Sequence, residues 1–440
     1  MSRAWPYILA NMAVPLLGLT DTAVLGNFGS VEDLGAIALG AIIFNFVYWS
    51  FGFLRMGTTG FVAQADGASD TAEVRAILLR ALLMALALGL ALIVLRGPIA
   101  SIAFTLLNAG PTVEQGAADY FAIRIWGAPA TLAMFALMGV MIGLGKSRLV
   151  LVVQVVLNGL NIALDVWFAG VLKLGAVGIA TGTLLAEWLA LLVGLMLLVF
   201  TLLRELRDSE PFWVIARLRQ WHKLRRLLVA NADILIRTIA LLFAFAWFTD
   251  RGAQFGVAQL AANHLLLQII FFSAFFLDGF AYVAESLVGK AVGSGSQARF
   301  DEAVRRTTEL AFATALLLAL GSYLAGATIV GWLTSIDEVR AAATGLLGLA
   351  ALYVVLSFGA FQLDGIFIGA TRTAALRNAA LVSAVGFLAS DYLLQPLGVE
   401  GLWLAMILFV CYRALGLLYY FPALRQSVAS RTDGDSSVVR

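Results

Sequence analysis

The chain has 440 residues, of which 61% are hydrophobic and only 13% charged, with a formal net charge of +2 and a mean hydropathy of +0.93. Soluble domains carry about 25% charged residues, so this composition excludes a soluble enzyme, argues against a nucleic-acid surface and implies an integral membrane protein. The single Cys411 excludes an intramolecular disulfide and any multi-cysteine metal cluster.

Along the chain, apolar runs of about 20 to 30 residues alternate with short polar breaks, each run long enough to cross a hydrocarbon core about 30 Å thick as a helix. Twelve spans are predicted: 6–26, 34–62, 76–104, 115–144, 149–170, 176–203, 227–249, 258–290, 302–333, 341–370, 375–395 and 399–423. The first follows only Arg3 and lacks a small-residue cleavage site, so it is read as a retained span and not a signal peptide. Loops after the even-numbered helices carry seventeen Lys and Arg against four after the odd-numbered ones, which places both termini in the cytoplasm.

A shift of 226 residues exposes a repeat. Phe135/Phe361, Gly139/Gly365, Ile142/Ile368, Gly143/Gly369, Ala163/Ala389 and Asp165/Asp391 coincide without a gap. The expected fold is therefore all-α and integral to the membrane, with twelve transmembrane helices in two pseudo-symmetric six-helix bundles. The boundaries are 1–203 and 227–424, with a cytoplasmic linker at 204–226 and a disordered cytoplasmic tail at 425–440. Two halves of even helix count share one orientation, with a pseudo-twofold axis along the membrane normal, as in transporters that rock two bundles about a cavity. The linker is basic and contains Pro211 and Trp213, which suits a segment lying partly on the bilayer surface. "GVMIG" and "GIFIG" are read as close-packing pairs on helices 4 and 10.

Ionisable groups inside spans are the candidates for chemistry, because inserting an acid near the bilayer centre costs about 2.5–3.5 kcal/mol. Asp21 on helix 1 and Asp165 on helix 5 lie at similar depth from the same ends of their helices. Asn158 and Asn161 share a helical face with Asp165, and Thr181 and Thr183 on helix 6 add hydroxyls. Such a polar cluster in a dry bundle suits a proton carrier; a buried acid fixed for packing is the plain alternative. Pro6 and Pro15 mark a bend in helix 1 that protonation of Asp21 could work. In the second half, Asp278 and Glu285 lie seven residues apart on helix 8 and, with Asp364 on helix 10, form a second acidic cluster for a cation. Asp233 and Arg237, four residues apart, are expected to neutralise each other. Glu187 and Arg413 are unassigned, and Arg124 pairs with an acid or carbonyl that the sequence does not name. "GVMIGLGKS" fails as a phosphate-binding loop, since Val140 stands where a glycine is required. Two distant histidines make no metal site, and no cofactor is expected.

"VPLLGLTDTAVLG", "FLRMGTTGFVAQADGA", "LNIALDVWFAG", "NADILIR", "LDGFAYVAESLVGKAVG" and "LDGIFIGATRT" together resemble the MATE (multidrug and toxic compound extrusion) family, in its DinF-type branch, from about residue 6 to 420. The resemblance implies two six-helix lobes around a V-shaped cavity and antiport of organic compounds against protons or sodium. It implies a proton-coupling network of Asp21, Asn161, Asp165 and Thr181, with Thr183 the fallback. A sodium-coupled relative would use Asp364 with a helix 7 Glu that is missing from "NADILIR". The function read from the sequence is a monomeric exporter in a bacterial inner membrane. It exchanges protons for amphipathic drugs and small organic cations, with Asp21, Asn158, Thr183, Asp278, Glu285 and Asp364 as candidate substrate contacts. The rivals are a sodium-coupled exporter and, in the wider superfamily, a flippase of lipid-linked saccharides.

Overall fold

A computed structural model describes residues 4–106, 110–204 and 215–435, and among these there are helices but no strand. The first span is α1 (Ala4–Met12) and α2 (Val14–Phe28), the second α3 (Val31–Ser50) and α4 (Phe53–Gly67), and the third α5 (Thr71–Val94) and α6 (Arg96–Leu106). The fourth joins α7 (Pro111–Arg124) to α8 (Ala128–Gly143) through a 3-10 turn. The fifth is α9 (Ser147–Asp165), continued by a π-helical segment, Val166–Val171, and the sixth is α10 (Gly175–Leu203). After the short α11 (Ile215–Leu218) come α12 (Trp221–Ala253), α13 (Val257–Gly293), α14 (Gln297–Leu333), α15 (Asp337–Gly369), α16 (Thr373–Leu394) and α17 (Gly398–Asp435). Ten stretches are long and apolar enough to cross a membrane, one of them the 57-residue Thr373–Ala429 that holds α16 and most of α17. The α1–α2 pair, each piece too short alone, completes twelve.

The chain forms two compact units, Leu9–Val62 with Asp70–Arg226, and Leu227–Arg440 with Met1–Ile8 and Ala63–Ser69. The expected boundary at 203 to 227 is thus incomplete, because two early segments pack with the second unit. Tyr7 meets Tyr282 edge-on at 5.9 Å. Gly67 and Gly293 let the ends of α4 and α13 cross, since a Cβ on either would fall 2.2 Å from the Lys290 carbonyl or 2.0 Å from the Gln64 carbonyl.

Each unit repeats one internal packing device. In the first, a Cβ on Gly139 would lie 2.5 Å from the Arg55 carbonyl, and one on Gly143 2.8 Å from the Thr59 carbonyl. In the second, Gly365 and Gly369 stand in the same relation to the carbonyls of Ala281 and Glu285, at 2.6 and 2.4 Å. Every partner is displaced by the same 226 residues, so backbone–backbone packing through small residues is the duplicated feature. Rows such as Leu83, Leu86, Leu90 and Val94 on α5 and Leu316, Leu320 and Leu324 on α14 are exposed in the protein alone, as lipid-facing surfaces must be. The core of the second unit centres on fully buried Trp403, stacked edge-on with Phe248 at 5.1 Å and donating its indole N–H to Asn263 Oδ1.

Two further expectations change. The tail begins as helix, because α17 runs on to Asp435; residues 436–440 lie outside the described residues. In the linker, Pro211 and Trp213 also lie outside the described residues. Its later part is docked on protein: Arg217 grips Asp70 at 2.7 and 2.6 Å, Lys223 binds Glu73 at 2.7 Å, and Arg80 joins Glu73 (2.8 Å) to the Arg217 carbonyl. Burial pushes the Asp70 carboxyl up, but the Arg217 hydrogen bond and the Glu73 N–H together hold it below the usual range.

Candidate functional site

The break in the first span follows from its sequence. Ala13 separates the pieces, and Pro15 stands second in α2, where its missing N–H falls in the first turn. Pro6 is the third residue of α1, also a first-turn position, so it breaks nothing in the described helix. The break in helix 1 therefore sits at Ala13, between the two prolines. Two turns further on, Asp21 is buried in the first unit.

Asp165 closes α9, and the next residue opens the π-helical segment, an irregularity frequent at functional sites. Two glycines of α10 cradle this joint. A Cβ on Gly178 would meet the Ala169 nitrogen and Phe168 backbone at 2.9 Å, and one on Gly182 would lie 2.3 Å from Asp165 Oδ1. Gly175, with φ of +55°, turns the chain into α10 and lies so close to the Asp33 carboxylate that no side chain fits. That carboxylate caps α3 through Ser30 and also accepts from the Ala176 N–H at 3.0 Å, tying the start of α10 to the start of α3.

Asp21, Asp165 and Asn161 are thereby neighbours, all buried. The Asn161 amide donates to Thr183 Oγ1 at 3.0 Å, and the Thr183 hydroxyl donates in turn to the Ile179 carbonyl at 2.9 Å. Thr181 is elsewhere: half-buried, its hydroxyl is spent on the Val177 carbonyl. Thr183, not Thr181, is thus the helix 6 hydroxyl of the cluster, since α10 turns residue 181 about 200° away from residue 183. Asn158 shares the face but bonds its own helix at Gln154. No described donor completes a hydrogen bond to either oxygen of Asp165 or to Oδ1 of Asp21. Two facing carboxyls bond each other only when one holds a proton, so this arrangement is chemically suited to carry one.

The duplicated acid behaves differently. Asp391 Oδ2 accepts from Trp247 Nε1 at 3.0 Å and from Arg251 Nε at 3.1 Å, a buried carboxylate with its charge matched. Asp364 is likewise occupied, held by both Arg237 and Arg413 (the latter at 2.6 Å). It is not an open acid for a cation. The Asp233–Arg237 pairing expected from their spacing does not form: Asp233 binds Thr373 at 2.9 Å and Arg377 at 2.6 Å, because Arg237 reaches across to α15. Asp278 is half-buried and Glu285 buried, both on α13. The sequence names no partner for Arg124 and assigns no role to Glu187. Arg124 donates to Glu187 Oε1 at 2.8 Å and to Tyr120 OH at 2.9 Å. Glu187, the one acid in the 29 residues of α10, follows Thr183 by four and so shares its face; that lone acid was the available signal.

Comparison with known proteins agrees with this architecture. The MatE family model matches twice, at residues 6–167 and 234–395, one match per half. The chain is 37% identical over 415 residues to DNA damage-inducible protein F of Escherichia coli K12, covering 94% of this chain and 89% of that protein. It is 25% identical over 447 residues to the probable multidrug resistance protein NorM of a serogroup A Neisseria meningitidis, covering 94% and 92%. Among solved structures, a multidrug resistance MATE family transporter of the MOP superfamily in an outward-facing conformation superposes with a TM-score of 0.86 at 18% identity, covering 96% of this chain and 95% of that one. With both halves matched by one family model and a relative of 37% identity along nearly its whole length, the chain belongs to the MatE family of membrane transporters, in its DinF-type branch.

Proposed function

We propose that the protein is a secondary exporter of the bacterial inner membrane, both termini cytoplasmic, which exchanges external protons for amphipathic, often cationic organic compounds. The observation that carries this reading is the contrast between the two copies of one acid. Asp391 accepts from Trp247 and Arg251, whereas Asp165 lies beside Asp21 and no described donor completes a hydrogen bond to it. Keeping an unmatched pair of acids in a span is costly unless they bind something, and a proton or an organic cation is what they can bind.

In the proposed cycle the negative charge on the pair holds the cation; protons entering from outside neutralise the pair and release the cargo. Helix 1 changes its bend at Ala13, between Pro6 and Pro15, as this occurs. One charge crossing 100 mV corresponds to about 2.3 kcal/mol, enough to drive the exchange. No cofactor is used, and the unit of function is the monomer. Sodium coupling through Asp364 is disfavoured by the two arginines that already occupy it.

The test is efflux of a dye cation in inverted vesicles under a pH or a sodium gradient, for wild type, Asp21→Asn, Asp165→Asn, Asp391→Asn and Asp364→Asn. The pH gradient should drive transport, and only the first two variants should abolish coupling. Sodium-driven transport lost only in Asp364→Asn overturns the proposal. Failure of any amphipathic cation to move favours a lipid-linked saccharide as cargo.

A further inference from the structure

Arg124 and Glu187 form an ion pair that is incomplete on both sides. The guanidinium uses Nη2 on Glu187 and Nη1 on Tyr120, and its Nε has no partner; of the carboxylate only Oε1 is bonded, and Oε2 has none. The side chains are 12% and 11% exposed. The Thr131 hydroxyl, whose hydrogen bond goes to the Gly127 carbonyl at 3.2 Å, is a further neighbour of the Glu187 carboxylate. Space around Oε2 is left open by Gly127, where a Cβ would stand 2.3 Å away. The guanidinium lies 5.0 Å from the Phe44 ring centre and 5.7 Å from that of Tyr120, seated on aromatic faces.

The groups that face it are Glu187 from α10, Asp21 from α2, Asp165 from α9, Tyr48 from α3 and Tyr120 from its own helix. One guanidinium thus pairs with Glu187 and lies within electrostatic reach of two further buried carboxyls, Asp21 and Asp165. With all three ionised the set carries two surplus negative charges; two protons balance it, and so do one proton and one monovalent organic cation. A Coulomb attraction between buried groups is large enough that the position of a single guanidinium decides which carboxyl keeps its proton.

We propose that Arg124 is an internal counter-ion shared between Glu187 and the Asp21–Asp165 pair, and that Glu187 positions it, thereby setting the pH at which the pair exchanges its proton and limiting exchange to one proton per monovalent cation. This rests on the proton-coupled reading above. Arg124, Glu187 and Tyr120 are positioning residues here, acting on the aspartates and not on cargo.

The test follows the protonated-carboxyl band of the purified full chain by infrared spectroscopy across about pH 4 to 9, the band being assigned by its loss in Asp165→Asn. Glu187→Gln releases Arg124 to the aspartates and should lower the midpoint by about one pH unit or more, the effect of an arginine placed beside a carboxyl. Arg124→Gln should raise it. In the Arg124→Gln background, Glu187→Gln should then move the midpoint by less than half of its effect alone. Tyr120→Phe, which changes no charge and is expected to fold, should lower the midpoint by a smaller amount. Equal Glu187→Gln shifts in both backgrounds, or an unmoved midpoint in folded Tyr120→Phe protein, overturns the counter-ion role while leaving proton coupling intact. A wild-type band that does not titrate at all removes the proton-coupled reading itself.

Discussion

Gly182→Ala is the sharpest structural test of the site, because one methyl group is aimed at one oxygen. The new Cβ would lie 2.3 Å from Asp165 Oδ1 and 3.1 Å from its backbone nitrogen, whereas ordinary contact begins near 3.4 Å, so something must give by about 1 Å. If α10 backs away from α9, the Asn161–Thr183 hydrogen bond lengthens from 3.0 Å to about 4 Å and is lost. If the carboxyl swings aside, it leaves Asp21. Overpacking of this kind costs about 1–3 kcal/mol, a fall of several degrees in Tm or less for a chain of this size. The control is Gly159→Ala on α9, where a Cβ meets nothing within 4 Å and a better helix former is expected to be neutral or mildly stabilising. Thermal unfolding in detergent and pH-driven efflux are measured for both. Gly182→Ala should lose most coupled transport even where enough folded protein remains to insert, and Gly159→Ala should lose none. If the two variants behave alike in both measurements, α10 does not hold Asp165 in the way described.

Three further outcomes follow from single contacts. Asp391→Asn should lower Tm, since Arg251 and Trp247 lose a charged acceptor worth about 1–3 kcal/mol, while the ratio of transport with and without a pH gradient stays at the wild-type value. Trp403→Ala should cost about 3–5 kcal/mol, because it empties the centre of the second unit and removes one of the two donors to Asn263 Oδ1; detergent unfolding that matches wild type would contradict that packing. For Asp70, whose folded carboxyl is held below its ordinary value, the stabilisation is fully present above the unfolded value near 3.9 and is lost as pH falls through the folded one. Protease cleavage after Lys223 should therefore be constant from about pH 5 to 8 and rise only below about pH 4, and Asp70→Asn should show the acid rate at neutral pH.

The twelve spans and the repeat were legible because hydrophobic length and aligned glycines are sequence-local signals, and the same 226-residue shift relates the glycine contacts inside each unit. Asp21, Asn161 and Asp165 were legible as rare polar groups in apolar helices. What could not be read was which neighbour each charged group chooses. Arg237 is one helical turn from Asp233, yet its long side chain reaches Asp364 on α15, while Asp233 is taken by Arg377 and Thr373 from α16. Choosing Thr181 over Thr183 failed for a related reason. Two hydroxyls two residues apart point to different sides of α10, and only the packing of α10 on α9, fixed by Gly178 and Gly182, decides which side meets Asn161.

The duplication itself argues for where the function lies. Two halves that began from one sequence keep the same glycine-on-carbonyl crossings, because backbone packing tolerates no other residue there. They have diverged in what surrounds the shared aspartate. Around Asp391 the second half supplies Trp247 and Arg251, donors that fix the charge and make the acid a structural pin. Around Asp165 no described residue completes a hydrogen bond to the carboxylate, and the first half adds a second acid from a broken helix and keeps its arginine on Glu187 and Tyr120. A packing role would be served equally well by the satisfied arrangement, which the same scaffold demonstrably permits one repeat later. The unsatisfied version costs stability at Asp165 and Asp21, and that cost is offset only when the pair binds a proton or a cation, so the asymmetry between two copies of one position is itself the argument that the first unit does the exchanging.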